Sequence, residues 1–261
     1  MSMCLLGKIA VVTGAGRGIG RAIAEQFAAE GAKVVVASRT AETVDEVVSA
    51  IRSAGGEAMG VRCDVSVVSD INSAVDCAAK TWGGIDIMVN NAQSFGTREK
   101  PLLKTADRGV EEVSEEEWDW IYTTGLKATL RFMQAVFPQM KARGGGSIIN
   151  FGSARGILST PMTSPYNAAK EAIRSLSRTA ANEWGAHNIR VNVINPVIDT
   201  DAYREDISTE AGRKAVEAMI PLRRVGTPLE AARVALFLAG SDSSYITGQS
   251  FDVDGGLVSR P

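Results

Sequence analysis

The fold is decided by the stretch Lys8-Ile9-Ala10-Val11-Val12-Thr13-Gly14-Ala15-Gly16-Arg17-Gly18-Ile19-Gly20. Its apolar first half predicts a buried strand, and the apolar residues that recur from Ile19 onward predict a helix. The glycines between them form a turn whose backbone can approach a pyrophosphate at the helix N-terminus. This order is typical of a dinucleotide site, although tight turns also use glycine for steric reasons alone. The predicted contacts are Gly14, Arg17, Gly18, Ile19 and Gly20.

The same alternation continues along the chain. Strand patterns occupy residues 33–37, 58–62, 85–89, 147–151 and 248–253, and helical patterns occupy residues 41–54, 67–82 and 230–238. Strands that alternate with helices predict right-handed crossovers and a parallel sheet. The predicted fold class is therefore α/β.

Length and composition limit the possible classes of protein. The chain has 261 residues, of which 45% are hydrophobic, and a net charge of −2, which suits one large α/β domain or two small ones. No basic excess indicates nucleic acid, no apolar run approaches membrane-spanning length, and Met1 to Leu6 is too short for a signal peptide. Three unpatterned cysteines favour free thiols in a reducing, cytoplasmic compartment. His187 is the only histidine, so neither a His-based triad nor a metal site is expected.

The end of the second predicted strand indicates which dinucleotide is bound. In such folds an acidic side chain at this point holds a ribose diol, whereas an arginine accommodates a 2′-phosphate. Here Ser38 replaces the acid, Arg39 follows it, and Arg17 can face the same spot. Two cations without a carboxylate favour NADP(H) and leave NAD(H) possible. The alternative is that both arginines are merely solvated.

Two further strand ends carry candidate cofactor contacts. Asp64 and Val65 follow the third strand, where the carboxylate could bind the adenine amino group or cap the next helix. Asn91 and Ala92 follow the fourth strand, where they could lie along the cofactor or form an ordinary turn. Ligands of open α/β sheets bind at these carboxyl ends, so all four residues are candidates.

The stretch Ser164-Pro165-Tyr166-Asn167-Ala168-Ala169-Lys170 carries the predicted chemistry. Ser164 as N-cap and Pro165 at the first helical position start a helix, which puts Tyr166 and Lys170 on one face. A phenol needs a pKa shift of about three units, or roughly 4 kcal/mol, to work near neutrality. An ammonium about 4–5 Å away supplies roughly 3–4 kcal/mol. The pair predicts acid/base catalysis, although many surface helices share its spacing.

Ser153 follows the carboxyl end of the predicted strand at residues 147–151 and completes the candidate catalytic set. Its hydroxyl can donate a hydrogen bond to a substrate carbonyl oxygen; the alternative is an ordinary helix cap. Arg155 could bind an acidic group or remain solvated. The neighbouring apolar residues predict a pocket wall for a moderately hydrophobic carbonyl compound, and they are Ala154, Ile157, Leu158, Pro161 and Met162.

Together these motifs resemble the short-chain dehydrogenase/reductase family. The matching pieces are Thr13-Gly14-x-x-x-Gly18-x-Gly20, Cys63-Asp64-Val65, Asn90-Asn91-Ala92, Ser153, Tyr166-x-x-x-Lys170, Asn195-Pro196 and Asp254-Gly255-Gly256. The resemblance covers nearly the whole chain. It implies a single Rossmann-type domain over residues 1–261, with a doubly wound parallel sheet of about seven strands and helices on both faces. It also implies a homotetramer or homodimer that transfers hydride between a nicotinamide cofactor and a ketone or secondary alcohol.

The resemblance also implies residue roles. The serine at position 153 polarises the substrate oxygen, Tyr166 passes the proton, and Lys170 holds the nicotinamide ribose while lowering the tyrosine's pKa. Contacts to the carboxamide fall to Pro196, Ile198 and Thr200.

The chain departs from the family pattern at three places. Gly125 stands where the family has an asparagine that helps to hold a water that relays protons to the lysine, and a mid-helix glycine costs about 1 kcal/mol relative to alanine. Either backbone and water maintain this relay, or Gly125 makes room for something bulky. Gln93 replaces a glycine and could trim the pocket or contact substrate. The loop after Pro196 lacks the usual glycine.

Two segments are candidates for the substrate side of the site. Residues 94–117 form an extended polar segment, expected as a surface loop or short helix that builds the pocket rim or a subunit contact; packing filler is the alternative. Residues 200–220 are a candidate lid, or equally a static surface helix. The predicted function is an NADP(H)-dependent ketoreductase or alcohol dehydrogenase. The alternative is a nucleotide-binding sensor or structural subunit with little or no turnover.

Overall fold

The computed structural model describes residues 3–258. The predicted domain also includes residues 1–2 and 259–261, which lie outside the described residues. The strands are β1 (Ile9–Thr13), β2 (Lys33–Ser38), β3 (Glu57–Arg62), β4 (Ile87–Asn90), β5 (Phe95–Gly96), β6 (Pro101–Leu102), β7 (Gly146–Phe151), β8 (Ile189–Pro196) and β9 (Ser250–Val253).

Seven of these strands form one parallel sheet in the order β3-β2-β1-β4-β7-β8-β9. The chain runs outward from β1 to β3 and then returns to add β4 on the other side of β1. The strand order therefore reverses between β1 and β4, and such a switch point opens a crevice at the carboxyl ends of the strands. The α/β fold class and the seven-stranded, doubly wound sheet are confirmed.

Helices cover both faces of the sheet. They are α1 (Gly18–Ala29), α2 (Ala41–Ser53), α3 (Val68–Trp82), α4 (Glu115–Tyr122), α5 (Ala128–Ala142), α6 (Ala154–Leu158), α7 (Ser164–Trp184), α8 (Asp201–Asp206), α9 (Glu210–Met219) and α10 (Pro228–Ala239). Alternate strand residues point to opposite faces. Ala10 and Val12 therefore pack with α1, α2 and α10, whereas Ile9 and Val11 pack with α3, α5 and α7. None of the described helices is both long and apolar enough to cross a membrane.

The extended segment after β4 is mostly loop, and α4 begins at its end. Within this segment β5 and β6 form a small antiparallel hairpin that the sequence did not predict, and Gly96, the last residue of β5, has a φ of +72°. Farther along, the backbone of Arg108 pairs with Thr163, just before α7. The segment is thus attached to the start of the helix that carries Tyr166.

Helices α4 and α5 are joined by a π-helical turn over Thr123–Lys127. The wider turn contains Gly125, and both Thr124 and Gly125 are buried. Single π-turns inside longer helices are rare and occur frequently at functional sites.

Candidate active site

A cavity of about 480 Å³ opens along the carboxyl ends of the parallel strands, around the switch point. Residues at or just after the ends of β1, β2, β3, β4, β7 and β8 line it. Most of the predicted site residues also line it, and they are Gly14, Arg17, Gly18, Ile19, Ser38, Arg39, Asp64, Val65, Asn91, Ala92, Tyr166, Lys170, Pro196 and Thr200.

The glycine-rich turn leaves the N-terminus of α1 open to this cavity. Gly14 and Gly18 have φ values of +62° and +54°, which larger residues adopt only with strain. Gly20 lies beneath the turn, because a Cβ there would be 2.4 Å from the carbonyl oxygen of Gly14. Gly20 was predicted to contact the cofactor, but in the described structure it allows close packing of helix against strand and does not line the cavity. No side chain caps α1 at Arg17, so backbone N–H groups remain available to an anion.

The end of β2 presents hydroxyls and cations to the cavity. Arg17 and Arg39 are both exposed, and neither has a carboxylate within 4 Å in residues 3–258. Thr43 lies beside Ser38 around Gly16, where a Cβ would be 2.4 Å from the Thr43 Oγ1 atom. This corner is rich in hydrogen-bond donors and suits an anionic group.

The ends of β3 and β4 combine structural and binding roles. Asp64 accepts a hydrogen bond at Oδ1 from the Ser66 N–H (2.9 Å) in the turn before α3, and it also lines the cavity. It does not cap α3, because the N-cap of that helix is Val67. The Asn91 side chain donates to the carbonyl oxygens of Thr13 (3.0 Å) and Gly14 (3.3 Å). Asn91 therefore ties β4 to the glycine turn and holds the two sides of the crevice together.

The loop after β8 divides the three predicted carboxamide contacts. Pro196 and Thr200 line the cavity, and the Thr200 Oγ1 atom accepts a hydrogen bond from the Tyr203 N–H at the start of α8. Ile198 is buried, and its backbone pairs with Gly226. The loop turns the Ile198 side chain into the protein, so Ile198 is not among the described residues that line the cavity.

Ser153, Tyr166 and Lys170 come together where β7 ends. Ser153 caps the short helix α6, and its Oγ accepts a hydrogen bond from the Arg155 N–H (3.2 Å), which leaves its own proton free to donate. Lys170 is only 4% exposed; its Nζ donates to the Phe151 carbonyl (2.9 Å) and lies 5.4 Å from the centre of the Tyr166 ring. The predicted helix start is correct, but Thr163 is the N-cap residue and Ser164 already lies within α7.

The electrostatics of the pair differ from the prediction. Burial raises the pKa of the Tyr166 phenol above its usual value; a hydrogen bond with Ser153 and the charge of Arg155 oppose this rise. Burial also lowers the pKa of the Lys170 ammonium to about 8. In the protein alone, desolvation therefore dominates over attraction between the two groups, because both leave water together.

The apolar wall comes mainly from the extended segment 94–117, which carries three of its four side chains. Phe95, Leu102, Leu103 and Trp120 line the cavity, and the Phe95 ring centre lies 5.1 Å from that of Tyr166. The wall predicted after Ser153 is wrong: those residues do not line the cavity within residues 3–258, because Ala154 is packed inside and Leu158 and Met162 are about half exposed to solvent.

Arg155 is neither solvated nor free. Its guanidinium forms an ion pair with Asp206 of α8 and a weak hydrogen bond with Thr105 (3.4 Å) of the segment after β6. It therefore joins the candidate lid, the extended segment and the serine loop. Residues 200–220 form the two short helices α8 and α9, neither of which contains a buried residue, and Thr200, Asp201 and Ala202 line the cavity.

The residues present fit a nicotinamide dinucleotide. The glycine turn leaves backbone N–H groups at the start of α1 open to the cavity, and a Cβ at Gly14 or Gly20 would force this turn away from Asn91. The opposite end of the cavity contains a buried lysine and a tyrosine beside an apolar wall. A dinucleotide spans this kind of crevice from the adenosine corner at β2 to the strand ends at β7.

Comparisons with known proteins agree with this geometry. A family profile described as "Enoyl-(Acyl carrier protein) reductase" matches residues 14–258. Short-chain reductase protein NovJ of Streptomyces niveus is 39% identical, with 95% of this chain and 93% of its own length aligned. The chain belongs to the short-chain dehydrogenase/reductase family.

Other members of the family extend the comparison. Human dehydrogenase/reductase SDR family member 4 is 37% identical, over 98% of this chain and 89% of its own length. The solved structure of a 7α-hydroxysteroid dehydrogenase with NADH and 7-oxo glycochenodeoxycholic acid is 33% identical, with a TM-score of 0.90 over 99% of this chain and 97% of that one. This short-chain dehydrogenase/reductase is accordingly an NAD(P)-dependent oxidoreductase that acts on CH–OH groups.

Proposed function

We propose that the chain is an NADP(H)-dependent ketoreductase and secondary-alcohol dehydrogenase with Tyr166 as its acid/base. One observation carries the proposal: the Tyr166–Lys170 pair and the glycine turn line the same cavity, and Ser153, which is not among the described residues that line it, is hydrogen-bonded to Tyr166. Each part occurs in unrelated proteins, but their convergence on one crevice requires the whole fold.

The three residues have different roles. The Ser153 hydroxyl donates a hydrogen bond to the substrate oxygen and stabilises its developing negative charge. The Tyr166 phenol gives its proton to that oxygen during reduction and takes it back during oxidation. Lys170 holds the cofactor ribose and orients the phenol beside it. When bound, the dinucleotide supplies or accepts the hydride at the substrate carbon.

The adenosine corner supports NADP(H) over NAD(H). Arg17 and Arg39 face the cavity without carboxylate partners in the described chain, and Ser38 stands where an acid would repel a 2′-phosphate. NAD(H) can still occupy the crevice, since its pyrophosphate uses the same backbone groups.

The wall made by Phe95, Leu102, Leu103 and Trp120 supports a moderately hydrophobic ketone as substrate. In this proposal the extended segment 94–117 is the pocket rim and residues 200–220 are the lid. The related hydroxysteroid dehydrogenase was solved with a bulky oxo compound, which agrees with such a pocket.

We further propose a cytoplasmic homotetramer or homodimer. Cys4, Cys63 and Cys77 are free, in agreement with a reducing compartment. The exposed side chains of Phe237 and Tyr245 and the edge strand β9 offer surface for contact between copies. Sedimentation velocity of the purified protein tests the assembly.

The test of the proposed function is NADPH oxidation against a panel of ketones, with wild type and Tyr166→Phe side by side. We expect turnover of apolar ketones and a loss of about 10²–10⁴-fold in kcat for the variant, the usual contribution of acid/base catalysis. Activity that survives the substitution would remove the acid/base role. NADPH binding without turnover of any ketone would favour the sensor.

A further inference from the structure

The candidate lid, residues 200–220, has few contacts with the rest of the protein. No residue of α8 or α9 is buried, and neither helix packs closely against another helix or strand of the described chain. The lid has a buried apolar side chain only at its far end, at Ile220. A segment with so little buried apolar surface opens at a small cost in free energy. Polar contacts therefore determine where the lid lies.

Nearly all the polar contacts of the lid are internal. Four of its ion pairs join residues no more than five positions apart, and they are Arg204 with Asp199 and Asp201, and Glu210 with Arg213 and Lys214. Its other side-chain hydrogen bonds are equally local. Within residues 3–258, the ion pair between Asp206 and Arg155 is the one that connects the lid to a distant segment.

This ion pair joins the segments around the substrate half of the cavity. The Arg155 N–H donates to the Ser153 Oγ atom (3.2 Å), and the Arg155 guanidinium also approaches the Thr105 hydroxyl (3.4 Å) of the extended segment. Asp206 is the last residue of α8, and the other end of this helix lines the cavity. One guanidinium therefore connects the serine loop, the pocket rim and the lid.

The pair is partly withdrawn from water. The Asp206 side chain is 12% exposed, and the Arg155 side chain is 32% exposed. Salt screens such a pair less than a pair on the open surface. Loss of one partner leaves the other charge partly desolvated and without compensation. Removal of either partner should therefore favour the open lid.

We propose that the Arg155–Asp206 ion pair is a latch that holds α8 closed over the substrate half of the cavity. The proposal rests on the proposed function, in which residues 200–220 are the lid. Separation of the pair lets α8 move and the ketone enter, and its re-formation returns the start of α8 to the cavity wall. Arg155 does not itself line the cavity in the described chain, so it is a positioning residue that acts through the lid.

Two variants break the latch and leave the backbone unchanged. Asp206→Asn keeps the shape but removes the charge, and Arg155→Met keeps the aliphatic stem and the backbone N–H but removes the guanidinium. In each variant we expect amide hydrogen exchange of residues 200–220, measured by mass spectrometry, to be about tenfold faster, while α3 exchanges at the wild-type rate. Glu205→Gln, which removes an exposed carboxylate from the same helix, is the matched control and should exchange like the wild type.

Steady-state kinetics of the same variants test whether the latch serves the reaction. The KM for ketones should rise about tenfold, because the apparent affinity falls with the fraction of protein in which the lid is closed. The kcat should change by less than threefold, since every variant keeps Ser153, Tyr166 and Lys170. Glu205→Gln should alter neither constant.

A double variant separates a latch from two unrelated effects. In Arg155→Met/Asp206→Asn no unpaired charge remains, so the lid should exchange no faster than in either single variant. Two independent roles would instead multiply to an increase of about a hundredfold. If Arg155→Met does not fold, Asp206→Asn decides the question against Glu205→Gln.

Four results would overturn the latch: wild-type lid exchange in Asp206→Asn, an equal rise of exchange in α3, multiplied effects in the double variant, or faster lid exchange with an unchanged KM. Hydrogen exchange does not depend on turnover, so it separates this proposal from the proposed function. Tyr166→Phe is measured in parallel. If it remains active, the proposed function fails; if it is inactive while lid exchange in Asp206→Asn is unchanged, the latch alone fails.

Discussion

The adenosine half of the cavity and its substrate half are built in different ways. At the adenosine half, the glycine turn, the start of α1 and the end of β2 come from one continuous stretch, residues 13–43. At the substrate half, the β5–β6 hairpin, the π-helical turn, the serine loop and α7 come from segments far apart in the chain. The first half depends on backbone conformation, whereas the second depends on side chains that meet only after folding. Substitutions should therefore have separable effects on the two halves.

Lys170 lies where the two halves meet, and its replacement should have the largest effect. We expect Lys170→Met to lose about 10²–10⁴-fold in kcat, because the phenol loses its orienting cation. The stability of the folded state should change in the opposite direction to kcat. The buried ammonium has a pKa of about 8 in the folded protein and about 10.5 when exposed, so its charge penalises folding below pH 8.

The sign of the pH dependence follows from this depressed value. Between about pH 8 and 10.5 the unfolded state binds more protons, so the free energy of unfolding of the wild type should rise by up to about 3 kcal/mol. Lys170→Met should lack this rise. At pH 7 the variant loses the hydrogen bond to Phe151, which costs about 1 kcal/mol. Removal of the buried charge should offset this loss, so the free energy of unfolding of the variant should match or exceed that of the wild type. Urea unfolding across this pH range is the measurement, with Lys8→Met as the control at an exposed lysine; a variant less stable at pH 7 and equally steep in pH would contradict the burial argument.

Arg39 tests the adenosine half alone. Arg39→Ala should weaken NADPH binding by about tenfold to a hundredfold, the equivalent of one charge-assisted hydrogen bond, and leave NADH binding nearly unchanged. Fluorescence titration with both cofactors measures the two affinities. Arg62→Ala removes an exposed arginine at the end of the neighbouring strand β3 and should affect neither. An equal loss for both cofactors would mean that Arg39 does not distinguish a 2′-phosphate from a hydroxyl.

The same division explains what could be predicted from sequence. The glycine turn, the parallel sheet and the shared helix face of Tyr166 and Lys170 follow from local spacing plus the rules of parallel sheets, whereas the doubly wound, seven-stranded arrangement follows from the resemblance to the family. The placement of Ile198 could not be predicted, because it depends on how one short loop turns toward Gly226. Gly125 and Gln93 each depart from the family pattern in the sequence, but their contact exists only in three dimensions. Burial has a larger effect on the pKa of Tyr166 than the attraction of nearby positive charge. This could not be predicted from the sequence, because desolvation depends on the surrounding fold.

The smallest predicted effect separates the apolar wall seen in the structure from the one expected after Ser153. Leu102 lines the cavity, whereas Leu158 is about half exposed and does not line it in residues 3–258. Leu102→Ala should raise KM for bulky apolar ketones by roughly fivefold, which corresponds to about 1 kcal/mol of lost apolar contact. Its kcat for small ketones and its affinity for NADPH should stay within twofold of wild type. Leu158→Ala makes the identical change at the rejected position and should leave every KM unaltered. If Leu158→Ala has the larger effect in steady-state kinetics, the wall lies on the serine loop and the hairpin is only packing.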